Sequence, residues 1–435
     1  MVDKIDWSKY MTFKMNQLEV IRNDLGASKV FAMGLMPVRG PIGFRKLDYE
    51  FAEKKLDVAN IMNRLEVCHF NTLGLVIKDT DGACTWDTKI GWNPIKRDLL
   101  GEFCDASKDR NIRIMVSFTS MNDAYQGHVH PERVSIHGKN GKKFGRRYYK
   151  GEISTHDAGE MRIDLPKGIS LEDYQKKIPF LANKKDDKIS KKRSSRGSGF
   201  IPTESFMCPN SAHIDYLIDL IKEVVKNYPI TAFTADYIRY DGSYTDLCAC
   251  DRCIKRFRTE YGKDAKIIKS HDWIDFKTNT IANYAKKVQN TVKSINKSCV
   301  TGWYSQVGPK KLVTLKRHGQ DWGKLSSILD ISIPMEYPYL MGTRDDGWYW
   351  GKVGDFFYWY FKRNLKKRIH EYKGPVLAIT NSVECNAQEM LKQIRTFDFG
   401  LGIGVFKYYG TSESQWIALK NYAENEIGLE NLKVN

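Results

Sequence analysis

Three groups of residues in this 435-residue chain have types and spacings that could do chemistry. The first lies in 230–257, ITAFTADYIRYDGSYTDLCACDRCIKRF. It opens with a β-rich apolar run, Ile230 to Ala235, which the strand formers Tyr237, Ile238 and Tyr240 extend. Asp236 and Asp241 sit toward its carboxyl end, with Arg239 between them. On a regular strand Arg239 and Asp241 face the same side. An adjacent guanidinium favours an ionised carboxylate, which suits a nucleophile or an electrostatic stabiliser. Asp236 has the opposite parity and joins that site only if the strand bends. A buried structural Arg–Asp pair is the competing reading.

The second group is a set of polar residues at the ends of apolar runs. Glu336 follows Ile-Ser-Ile-Pro-Met and precedes Tyr337-Pro-Tyr, a desolvating setting that raises a carboxyl toward a general acid. Asp241 and Glu336 are the expected catalytic pair, with Asp236 in reserve. Arg239, Lys78, Asp79, Tyr304, Tyr337, Asn381, Glu384 and Lys407 are the expected substrate contacts. Two carboxyls between aromatic walls form the equipment for cleaving a glycosidic bond. No Ser-His-Asp set has a suggestive context.

The third group is Cys248, Cys250 and Cys253, three thiols within six positions. Tetrahedral zinc needs a fourth ligand, and Cys208, at the start of the preceding helix, is the best candidate. Four thiolates leave no open coordination position, so the expected Zn2+ is structural. Three reduced thiols without metal are the alternative.

These residues need elements to position them. Apolar runs predict strands at Lys29–Val38, Leu73–Ile77, Ile112–Phe118, Ile230–Ala235, Val300–Tyr304, Ile328–Met335, Pro375–Thr380 and Gly402–Tyr408. Helical patterns lie between them, including 45–66, an apolar stripe from Ile214 to Val225, 312–325 broken at Gly319, and an aromatic-rich helix at 353–371. Eight strands alternating with eight helices predict an α/β fold, a (β/α)8 TIM barrel. No Gly-rich phosphate loop supports a doubly wound sheet. Residues 1–27 read as a helical extension and 28–430 as the barrel. A long insertion follows the third strand at 121–205; its run KKDDKISKKRSSRGSG is too polar to bury a core and reads as a mobile loop over the carboxyl face. Histidines 128, 130, 137 and 156 lie in it and read as loop chemistry.

Composition narrows the classes. Lys and Arg number 69 against 52 Asp and Glu, a formal +17 that favours anionic partners. Nine cysteines, an odd number, do not make a disulfide scaffold. No run has transmembrane length and the N-terminus has no apolar signal core, so the expectation is a cytoplasmic protein without a membrane partner.

Cys-Pro-Asn-Ser at 208–211, Cys-x-Cys-x-x-Cys at 248–253 and Phe257 resemble the zinc-binding segment of the family 42 beta-galactosidases. That resemblance implies zinc on Cys208, Cys248, Cys250 and Cys253. It departs after the fourth strand, where that family has Asn-Glu and this chain has Tyr240-Asp241. Asp-Tyr-Ile-Arg-Tyr-Asp is more similar to uncharacterised glycosyl-hydrolase-like barrels and to the Arg/Lys-x-Asp strand of alpha-amylase-like and alpha-galactosidase-like enzymes. There the Asp is the nucleophile, which implies that role for Asp241; the acid of the alpha-galactosidase-like group comes from the sixth strand, consistent with Glu336, although that group uses Asp. The expected function is therefore a retaining glycoside hydrolase acting on an oligo- or polysaccharide that could be acidic. Two alternatives stand beside it: an inactive barrel that binds glycans, and a zinc-stabilised nucleic-acid-binding protein. The last is disfavoured because no nucleic-acid module is present. Homo-oligomer formation stays open.

Overall fold

The computed structural model describes residues 15–40, 48–139, 143–146, 160–163, 199–202, 206–241, 248–265, 270–306, 311–338 and 351–434. Eight parallel strands close into a barrel: β1 Val30–Leu35, β2 Thr72–Lys78, β3 Arg113–Thr119, β4 Ala232–Asp236, β5 Val300–Gln306, β6 Ile331–Glu336, β7 Leu377–Asn381 and β8 Gly402–Phe406. β1 pairs with β2 on one side and β8 on the other, so no edge is left open. Closure depends on Gly402, which has φ +136; a Cβ there would meet the Val30 carbonyl at 2.0 Å.

Alternation along each strand sorts side chains into two layers. The inner layer holds Val30, Ala32, Met115, Ala232, Val300, Tyr304, Ile331, Ile333, Leu377, Ile379 and Phe406, with Met335 and Tyr337 packed against it. Leu18, Ile21 and Leu25 of the helix Met15–Leu25 belong to the same cluster, so this N-terminal helix supplies apolar side chains to the barrel interior. The outer layer, including Phe31, Leu73, Val116, Phe233, Trp303 and Val405, packs under the helices. The helix His213–Asn227 shows how: Ile214, Leu217, Leu220, Ile221, Val224 and Val225 form its buried stripe, as its periodicity predicts.

Three expectations need correction. The helix expected over 45–66 is two helices, Tyr49–Lys54 and Val58–Val67. Asp57 starts the second by accepting from the Asn60 N–H at 3.0 Å, a cap that apolar spacing does not reveal. The helix expected over 312–325 does break at Gly319, but its first part is only Lys311–Val313 followed by a π turn over Thr314–His318 that ends at the left-handed Gly319, and its second part is the short Trp322–Ser326. The third concerns β4. It ends at Asp236, because Tyr237 takes a positive φ of 48° and turns the chain. Residues 237–241 do not continue the strand.

Within 121–205 the described parts are a helix Ala124–Val129, a turn Pro131–Arg133, and two antiparallel pairs, 136–139 with 143–146 and 160–163 with 199–202. The basic run from 184 lies outside the described residues up to 198. Among the described residues no helix is long and apolar enough to cross a membrane.

Candidate active site

The carboxyl ends of the strands form one mouth, where a barrel gathers its functional side chains. Asp236 is the last residue of β4. Thr234 shares its parity and lies against the inner-layer Tyr304, whereas Phe233 and Ala235 belong to the outer layer. Asp236 therefore faces the lumen. Its side chain is 23% exposed. One carboxylate oxygen accepts from the Tyr237 N–H at 2.6 Å, and the Arg239 guanidinium stands 3.4 Å away. Arg239 also lies over the Tyr237 ring, 4.0 Å from its centre. Burial raises the Asp236 pKa; Arg239 and the Tyr237 N–H oppose the rise, and the charge of Asp79 adds to it. Tyr304 and Tyr337 stand close enough to feel the charge of Asp236. The result is a lumen-facing carboxyl with aromatic walls and one cation beside it.

Asp241 is placed differently from its expectation. The turn at Tyr237 separates it from the strand, so the shared parity with Arg239 no longer applies. Tyr240, just before it, donates its N–H to the His318 carbonyl at 2.9 Å, and Asp241 is only 4% exposed. Arg239 is thus brought to Asp236, three residues before it. Sequence alternation assigned the guanidinium to the other carboxylate because it assumed that the strand runs on.

Glu336 closes β6 but faces outward. Ile333, Met335 and Tyr337 belong to the inner layer. Ser332, with the parity of Glu336, accepts a hydrogen bond from the outer-layer Trp303 at 3.0 Å. Tyr372, bonded to the Ser305 hydroxyl at 2.6 Å, feels the charge of Glu336. Glu336 is fully buried, and among the described residues neither carboxyl oxygen has a hydrogen-bond partner. Burial alone pushes its pKa well above the ordinary carboxylate range. The desolvation expected for Glu336 is present, on the side of the strand away from the lumen.

The β1, β2 and β8 side of the mouth is a charge network. Arg39 binds Asp79 through Nε at 2.8 Å and Nη2 at 3.0 Å, and Thr80 at 2.9 Å. Asp81 lies 3.9 Å from the same guanidinium, wholly buried, and burial lifts its pKa to about 6. Lys407 donates to the Arg39 carbonyl at 3.1 Å; burial, with Arg39 beside it, brings its pKa down to about 7. Lys78 is sealed between Asp123 at 2.8 Å and the Thr119 carbonyl at 3.0 Å. Asp123 escaped the sequence reading. Its signal is a cap, since it accepts from the Gln126 N–H at 2.8 Å to start the helix Ala124–Val129, but its pairing with Lys78 is purely tertiary.

Asn381 ends β7 with the lumen parity of Leu377 and Ile379. Its Nδ2 donates to the Val383 carbonyl, and its Oδ1 is buried without a partner among the described residues. Glu384 is exposed, at a φ of 60°.

The four cysteines converge. The Sγ atoms of Cys208, Cys248, Cys250 and Cys253 all lie within 4.8 Å of one another, in a buried cluster that could hold a metal ion. Cys208 is 3.7 Å from Cys250 and 3.4 Å from Cys253, near the edge of about 3.8 Å set by tetrahedral Zn–S bonds. Asn210 donates to the Cys208 and Cys253 sulfurs at 3.4 and 3.2 Å. The Cys250 thiol is driven down by hydrogen bonds from Cys208, Cys248 and Cys253. The cluster adjoins the mouth through Tyr240, whose buried hydroxyl feels three of the cysteines.

No protein-family model matches the sequence, and no curated protein matches it. Solved structures do. The glycoside hydrolase domain of PgaB (BpsB) from Bordetella bronchiseptica aligns with a TM-score of 0.57 at 9% identity, over 94% of this chain and 99% of that one. Alpha-L-fucosidase isoenzyme 2 from Paenibacillus thiaminolyticus gives 0.55 at 14%, over 91% and 49%. The beta-galactosidase from Rahnella sp. R3 gives 0.55 at 9%, over 93% and 57%. The chain thus spans about half the length of the last two. These likenesses establish the (β/α)8 barrel fold, which the chain shares with these glycoside hydrolases.

Proposed function

We propose that the protein hydrolyses a glycosidic bond, with Asp236 as the acid and base. The observation that carries this reading is the Asp236 carboxyl: it faces the lumen, solvent reaches it, its pKa is raised, and Tyr237, Tyr304 and Tyr337 surround it. A carboxyl whose protonated form is favoured by burial can give its proton to the departing glycosidic oxygen as the bond from the anomeric carbon breaks. The oxocarbenium-like centre then needs negative charge. Asp79, ion-paired with Arg39 and felt electrostatically at Asp236, is the proposed source. Water adds to the anomeric carbon and returns its proton to Asp236. That proton return to Asp236 applies if Asp79 first bonds the sugar of the carbohydrate substrate and water then displaces it, giving retention; if water lies between Asp79 and the sugar, Asp79 takes the water's proton and the outcome is inversion. Asn381 offers an acceptor, without a partner among the described residues, for a sugar hydroxyl. The cysteine cluster would hold structural zinc, fixing the segments that carry Cys208 and Cys248 beside the mouth and taking no part in proton transfer. A cytoplasmic location remains part of this reading.

One observation favours a second reading, a barrel that binds glycans without cleaving them. Asp79, Asp81, Asp123 and Glu336 are each at most 1% exposed, which leaves Asp236 without an equally open partner among these carboxylates. Hydrolysis of a panel of neutral and acidic oligosaccharides by wild type and Asp236→Asn separates the two. Cleavage abolished in the variant supports the hydrolase. Binding without cleavage by wild type supports the second reading. Cleavage that survives the substitution overturns the assignment of Asp236.

A further inference from the structure

The aromatic-rich helix Gly351–Arg368 follows β6 and has two apolar faces of different kinds. Tyr358, Phe361 and Leu365 are buried against the barrel and account for its docking. Phe356 and Trp359 are on the other side, 55% and 51% exposed. Their rings lie 6.2 Å apart, and Phe356 stacks beside Tyr360 at an interplanar angle of 15°. Arg363 continues the stripe one turn on, its guanidinium 5.1 Å from the Trp359 ring centre. No carboxylate pairs with Arg363 among the described residues. Lys362, Arg363, Lys366 and Lys367 lie on this helix against the single acidic Asp355, which Lys392 neutralises at 3.0 Å, while Arg368 is buried and paired with Glu371 at 3.2 Å.

Large exposed aromatics with an adjacent free cation call for an occupant. Size decides which. A stable protein interface needs about 800 Å² per partner, more than two rings and an arginine present. A membrane-surface helix immerses a long apolar face, and here that face is turned into the barrel. A polysaccharide chain needs only ring-sized platforms along its length, and a cationic strip matches carboxylate or sulfate groups on it. The helix starts from the carboxyl side of β6, so the platform runs down from the rim of the mouth.

We propose that the Phe356–Trp359–Arg363 ridge is a surface platform for an anionic polysaccharide chain, separate from the catalytic mouth. The inference rests on the glycosidase reading and names its substrate class: an acidic polymer held at the ridge while one of its bonds lies at Asp236.

The test is electrophoresis of the full chain in native gels containing alginate, pectate or hyaluronan, with hydroxyethyl cellulose as the neutral control. Wild type is expected to be retarded by at least one acidic polymer and not by the neutral one. Phe356→Ala/Trp359→Ala is expected to weaken that retardation about tenfold, and Arg363→Ala to weaken it in a salt-dependent way, with melting temperatures unchanged because all three side chains are on the surface. No retardation of wild type by any acidic polymer overturns the proposal. So does retardation that persists in the double variant, which would be net-charge attraction alone, and so does sedimentation with phosphatidylserine vesicles that the double variant loses. Hydrolysis of short oligosaccharides, measured in parallel, distinguishes the two failures. Lost ridge binding with intact hydrolysis removes only the platform; ridge binding without hydrolysis removes only the glycosidase reading.

Discussion

Asp236 and Glu336 occupy equivalent places, each the last residue of a barrel strand, and burial raises the pKa of both. Their surroundings are opposite. Asp236 faces the lumen, is reached by solvent and has Arg239 at 3.4 Å. Glu336 faces the helices, is sealed, and has no hydrogen-bond partner among the described residues. The comparison teaches that a raised pKa at a strand end is not sufficient for acid catalysis. Parity decides whether the proton can reach a substrate.

The largest effect should be on turnover. Asp236→Asn is expected to lower kcat by about a hundred- to ten-thousandfold, whereas Glu336→Gln leaves it within a few-fold. The reverse result would exchange the two roles. Wild-type kcat/KM should fall as pH rises through the elevated Asp236 pKa, because the acid must be protonated to act. An alkaline limb that Glu336→Gln abolishes would break the comparison.

The cysteine cluster lies beside the segment that follows Asp236, next to Tyr240. Cys253→Ser is expected to lose bound zinc, measured by atomic absorption, and about 4 kcal/mol or more of unfolding free energy. Full zinc content in this variant would remove Cys253 from the ligand set.

Stability should respond to pH in opposite senses at the two sites. Behind Asp236, the Ser120 N–H donates to the Asp236 carbonyl at 2.8 Å, and the Ser120 carbonyl is 2.9 Å from His213 Nε2. Burial lowers the His213 pKa from 6.5 to about 4. Between those values the unfolded chain binds more protons, so His213 removes stability as pH falls through that window, by about 3 kcal/mol. His213→Gln should flatten this acid slope in denaturant titrations. Glu336 is raised instead. Above about pH 4.5 the unfolded chain has lost a proton that the folded chain keeps, so stability falls as pH rises toward the elevated pKa. Glu336→Gln should therefore melt higher than wild type, by a margin that widens as pH rises above about 4.5 toward the elevated pKa. A constant margin would mean that Glu336 is ionised in the folded protein.

Much of this molecule was legible before its coordinates. Eight apolar runs became eight parallel strands, because a strand buried on both faces must be continuously apolar. The Cys-x-Cys-x-x-Cys spacing with a distant fourth cysteine became a four-thiol cluster, because short-range spacing constrains where three of the sulfurs can go. The carboxylates were found as residues but in another order, with Asp241 and Glu336 placed ahead of Asp236. One backbone torsion, the positive φ of Tyr237, ends β4 at Asp236 and brings Arg239 back to it, and no side-chain pattern announces that turn. The pairing of Lys78 with Asp123 and of Arg39 with Asp79 joins loops about 40 residues apart. The sequence determined which strands build the mouth, since strand order and apolar periodicity are local properties. Only the tertiary structure decided which carboxyl faces the lumen, because that depends on where each strand stops and which neighbour its last residue meets.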